Sequence, residues 1–138
     1  MRLILCTLAL TAIFAGPVLA ADKLVPANAA GALGEHKGKP WREPLTNCAG
    51  FHTWHGRNLG EAGDNKGSWD EAGKAADFMT AAARRISEDQ GQTVDEAMAA
   101  NKRRVQNVVT SLDMSEPDVA GWTKVCQEYL AGYKKAFG

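Results

Sequence analysis

The chain has 138 residues, with 16 basic and 16 acidic side chains and no formal net charge. That balance argues against nucleic acid or an anionic membrane surface as the default partner, since both reward a cationic excess. Its length fits one domain built on one modest core.

Residues 1–20 have the three parts of a secretory signal. Arg2 supplies the positive start, residues 3–15 form an apolar run, and Gly16-Pro17 precede Val18-Leu19-Ala20. The small side chains at Val18 and Ala20 suit signal peptidase, so cleavage is expected after Ala20. The apolar run is 13 residues long, short of the roughly 20 that cross a bilayer as a helix. No second long apolar run follows, and no transmembrane segment is expected in the mature chain. The expected location is the periplasm, or outside the cell. Cys6 goes with the discarded segment. Cleavage leaves 118 residues, with 15 basic side chains against 16 acidic.

Two cysteines then remain, Cys48 and Cys126. An even count in an oxidising compartment predicts a disulfide. Closing a loop of 78 residues is worth about 4.5 kcal/mol in the chain-entropy treatment.

Residues 21–44 read as an irregular lead-in, punctuated by Pro26, Gly31, Gly34, Gly38, Pro40 and Pro44 without apolar periodicity. Trp41, a lone aromatic in this polar strip, is expected to pin it to the domain. Residues 45–138 form the helical domain. The first helix is expected from Thr46 or Asn47 to Glu61, with Cys48, Phe51, His52, His55 and Leu59 on one face and Arg57 and Glu61 opposite. Gly50, Gly56 and Gly60 make it the weakest helix intrinsically. Gly56, Gly60 and Gly63 line one side, where another backbone can come close. Trp54 falls on the outer side.

Ser68 and Glu71 have the spacing of a capping box and predict the start of the second helix. Trp69, Ala72, Ala76, Met79, Ala83 and Ile86 follow as an apolar stripe, and Gly91 ends it. Thr93 and Glu96 repeat the box for the third helix, with Val94, Ala97, Met98, Val105, Val108, Val109 and Leu112 as its stripe. The fourth is expected to begin at Ser115, with Pro117 in a first turn that does not need its amide. Val119, Trp122, Cys126, Tyr129, Leu130, Tyr133 and Phe137 form the clearest stripe of all. Short connections favour antiparallel neighbours, so the expected fold is all-α, a compact bundle of about four helices whose first and last members share a disulfide.

Chemistry is sparse. His52 and His55 stand three apart on a helix and can share a ligand, which points to a transition metal or haem held by imidazole. Third and fourth ligands are not visible at defined spacing. Cys48 and Cys126 would complete a Cys2His2 zinc site only if they stayed reduced. Covalent haem lacks its Cys-x-x-Cys-His motif, and Met79 and Met98 read as core filling before they read as haem ligands. Asp64-Asn65-Lys66-Gly67 begins like a calcium loop but lacks the later ligands and reads as a turn. Arg84, Arg85, Lys102, Arg103 and Arg104 form a basic cluster on adjacent helices. No nucleophile with a base in reach is evident, so the chain is not expected to be an enzyme.

In size, export and two helical cysteines the chain is similar to small periplasmic helical proteins such as the acid-stress chaperones, with no motif that carries residues across. The expected function is a non-catalytic binding or interaction module for a periplasmic protein or a small ligand, with Trp54 and Trp41 as candidate contact residues. Metal or haem binding through His52 and His55 is the alternative.

Overall fold

The computed structural model describes residues 41–112 and 118–138. The expected signal, most of the expected lead-in, Ser115 and Pro117 lie outside them. The chain forms four helices, α1 (Arg42–Glu61), α2 (Asn65–Gln90), α3 (Val94–Leu112) and α4 (Val119–Phe137), with no strand among the described residues. A disulfide joins Cys48 on α1 to Cys126 on α4, with Cα atoms 5.6 Å apart.

The helix direction alternates. Arg42 at the start of α1 pairs with Asp89 at the end of α2, while Gly56 lies against Ser68 and Glu71 near the start of α2. Trp41 packs on Tyr133 and Phe137, and Phe51 on Trp122, so α4 also runs antiparallel to α1. The helices do not form a square, however. α1 packs against all three others, and α2 against α3, but α4 meets the rest chiefly through α1. The main core gathers Leu45, Phe51 and Trp54 of α1 with Phe78, Val109, Trp122, Val125 and Tyr129.

This central place explains how a weak helix survives. From Pro44 to His52 every residue of α1 is buried, so tertiary packing replaces the propensity that its glycines lack. A Cβ on Gly50 would stand 2.2 Å from Val108 Cγ1, and one on Gly56 would stand 3.2 Å from Glu71 Cβ. Of the glycines expected to admit a neighbour, Gly56 and Gly60 do so where α2 arrives and Gly63 does not, while Gly50 admits α3.

Three helix starts differ from expectation. α1 begins at Arg42, ahead of Thr46, and absorbs Pro44 in its first turn, where a missing amide costs no intrahelical bond. α2 begins at Asn65, because the Asp64 carboxylate accepts from the Gly67 amide at 2.9 Å. The segment 64–67 is therefore a cap and first turn, and Ser68 is already inside the helix. α4 starts at Val119, capped by Asp118, which accepts from the Gly121 amide. The box at the head of α3 forms as expected, since the Thr93 amide donates to Glu96 and the Glu96 amide to Thr93. Gly91 ends α2 in the left-handed conformation, with φ of 66°.

Candidate functional site

The earlier start of α2 rotates the meaning of its first turns. Glu71 is not reaching back to a cap. It is 5% exposed and stands on the inner stripe Glu71, Ala75, Phe78, Ala82 and Ile86. The stripe expected through Trp69, Ala72 and Ala76 faces solvent instead, with Trp69 79% exposed. A carboxylate on an inner face needs donors there, and α1 provides them.

His52 Nδ1 lies 2.6 Å from Glu71 Oε2, and His55 Nδ1 lies 3.1 Å from the same oxygen. Lys74 Nζ donates to Oε1 at 2.5 Å. Burial alone would raise the Glu71 carboxyl, but the hydrogen bonds from Lys74 and His52 outweigh it and hold the group down to about 2. An ionised carboxylate only accepts, so Nδ1 is the protonated nitrogen of His52. Burial pushes His52 itself below its usual value of 6.5, against the pull of Glu71. The His55 contact is close but lacks hydrogen-bond alignment, which leaves His55 Nδ1 buried and unbonded.

Aromatic rings wrap this cluster. His52 stacks on Phe78 with centroids 5.4 Å apart, Phe51 meets it edge-on, and His55 stacks on Phe51. His52 is thereby sealed between α1 and α2, while His55 and Lys74 retain contact with solvent. His52 and His55 both turn Nδ1 toward one oxygen of Glu71, which the sequence hid behind a capping motif. The signal was Phe78, a large aromatic that the expected stripe left on the polar side. Placing Phe78 inward brings Glu71 inward with it, two helical turns earlier.

The other candidate residues move as well. Trp54 is not an outer residue. It is buried and stacked near Phe51 and His55, because α1 has neighbours on nearly every side. Trp41 is half-buried and sits edge-to-face on Tyr133 and Phe137, pinning the start of α1 to the end of α4. The Cys2His2 zinc arrangement is overturned, since both sulfurs are consumed in the disulfide. The basic cluster loses Arg85, which pairs with Glu88 and Asp89 and lies over the Phe137 ring at 4.1 Å.

A second buried polar tie links α1 to α3. Thr46 Oγ1 is 2.7 Å from both the Arg42 carbonyl and the side-chain oxygen of Asn101, which is fully buried. Neither residue was marked by the apolar periodicity of its helix. No helix among the described residues is long and apolar enough to cross a membrane. The chain matches no family model, and comparison with curated proteins and with solved structures finds no match.

Proposed function

We propose that this chain is an exported, non-catalytic binding module that presents a fixed helical surface to a partner protein. The observation that supports it is Trp69. This indole stands out from the second turn of α2, and the exposed residues beside it one and two turns on are Ala72, Gly73 and Ala76. A large aromatic raised above small side chains forms a knob suited to an apolar pocket on another protein. α2 is held from behind by the Glu71 cluster, so the backbone that carries the knob is ordered before binding. The expected contact role of Trp54 passes to Trp69, because only the latter is exposed.

The test compares proteins captured from the native compartment by the wild-type chain and by Trp69→Ala at matched thermal midpoints. Selective loss of a captured partner is expected. Unchanged capture sinks the proposal.

His52 and His55 support a second reading, a transition-metal site, because their Nδ1 atoms converge on one carboxylate oxygen. Among the described residues no group of three or more His, Cys, Asp or Glu side chains is already placed to hold a metal ion. A metal would therefore have to displace the hydrogen bond between His52 and Glu71. Titration of the chain with Zn2+ or Cu2+, followed by histidine NMR signals, tests this. Binding that survives His52→Ala with His55→Ala removes the reading.

A further inference from the structure

α2 and α4 both lean on α1, and although Arg85 of α2 lies over Phe137 of α4, a cleft of about 260 Å³ is left between them. Its apolar lining is Ala81 of α2 with Leu130 and Tyr133 of α4, and Thr80 adds a hydroxyl. Arg84 lines it from one helix and Lys134 from the other. Asp77 lies two turns before Arg84, about 10 Å away along the helix axis, and carries the opposite charge.

The cations of α2 set Arg84 apart. Lys66 pairs with Asp70, Lys74 with Glu71, and Arg85 with Glu88 and Asp89. Arg84 has no ion-pair partner among the described residues, and neither does Lys134 across the cleft. Two unspent cations from different helices, bordering an apolar floor, are matched by an anion that carries an apolar body. Arg offers a planar fork that fits a carboxylate. The volume is just below the range of drug-sized pockets and suits a small metabolite.

We propose that the cleft between α2 and α4 binds a small carboxylate with a compact apolar body, its carboxylate held between Arg84 and Lys134 and its body against Leu130 and Ala81. Asp77 disfavours a second negative charge at the far end, so the ligand is a monocarboxylate. This site is separate from the Trp69 surface and stands whether or not that surface binds a protein.

The experiment is a methyl-NMR titration of the full chain with sodium benzoate, with benzylamine and inorganic phosphate as parallel arms. Benzoate is expected to give saturable shifts at the Ala81 and Leu130 methyls, weakened about tenfold in the double variant Arg84→Gln, Lys134→Gln and tightened in Asp77→Asn. In the wild-type chain the affinity should fall as ionic strength rises, a readout that does not depend on any variant folding. Non-saturating shifts, unchanged affinity in the double variant, salt-independent binding, an equal response to benzylamine, or phosphate binding as tight as benzoate would each overturn the proposal.

Discussion

α1 and α4 are nearly equal in length and are stapled together, yet they are helical for opposite reasons. α4 carries a continuous apolar stripe, and its inner side alone is buried, at Trp122, Val125, Cys126 and Tyr129. α1 has Gly50, Gly56 and Gly60, two histidines and buried Thr46 and Asn47, and it is enclosed almost all round. Each helix-interior glycine costs about 1 kcal/mol relative to alanine. Here that cost is offset by the approach of α3 at Gly50, which a Cβ would block, and of α2 at Gly56 and Gly60, which a Cβ would crowd. The least helical sequence occupies the centre because smallness and polarity, not propensity, are what the centre requires.

The largest test of this contrast is reduction of Cys48–Cys126, expected to lower stability by about 4.5 kcal/mol in the loop-closure treatment. Hydrogen exchange on the reduced protein should show α4, which has few other neighbours, losing protection before α1. Protection lost first in α1 would break the comparison, since α1 would then depend on the staple and not on enclosure.

Next comes Glu71→Ala, which strips the partner from His52 and Lys74. Removing one side of a buried charged network costs about 3–5 kcal/mol, read from urea unfolding. Glu71→Gln, which keeps the shape and an acceptor, should cost less. A loss near zero for both would mean that apolar packing alone holds α1 to α2.

The same cluster sets a pH response. The folded protein holds Glu71 down to about 2 against an ordinary 4.5, and holds His52 below 6.5. In both cases the unfolded chain binds the proton more readily, so stability rises with pH. The His52 contribution is fully present above 6.5 and is lost below it, as pH falls toward and through the lower value of the folded state. The Glu71 contribution is lost between 4.5 and about 2. Urea midpoints measured from pH 7 to pH 3 should fall steadily, and Glu71→Gln should flatten the acid end of the curve.

Two glycine substitutions sharpen the comparison at smaller scale. Gly50→Ala drives a methyl into Val108 and should cost about 1–3 kcal/mol by overpacking. Gly73→Ala, on the open side of α2 with nothing within 4 Å, should gain about 0.5–1 kcal/mol. Equal effects of the two in thermal unfolding would show that propensity, not packing, governs both. Trp69→Ala is expected to change stability least, within about 0.5 kcal/mol, as an exposed position should.

Legibility followed the chemistry of each helix. α3 and α4 were readable because their inner residues are large and apolar, from Val105 to Leu112 and from Trp122 to Tyr133. Only Val94 and Phe137, near helix ends, are exposed, while buried Asn101 and Val125 lie off the expected stripes. In α2 the expected stripe holds in the second half, where Ala83 and Ile86 are buried, and is off by about one step around the axis in the first half, where Trp69, Ala72 and Ala76 are exposed. Ser68 and Glu71 imitate a cap, and a glutamate is assigned to solvent unless its partners are known. Hydrophobicity alone points Trp69 inward, but one exposed aromatic costs too little to turn a helix against a buried ion cluster. In α1 both histidines were found, but Trp54 was sent outward because a helical wheel knows of only one buried face.

The sequence by itself determined the all-α class, four helices in roughly their places, the cysteine pair, and the neighbouring histidines on one helix. Those follow from local periodicity, capping and spacing, which need no partner element. Only the tertiary structure decided that α1 stands at the centre, that Glu71 joins His52 and His55, and that Trp69 and the α2–α4 cleft are what the protein shows to solvent. Burial of a polar group is a property of pairs, and the partners of Glu71 and His52 lie on different helices, 19 residues apart along the chain.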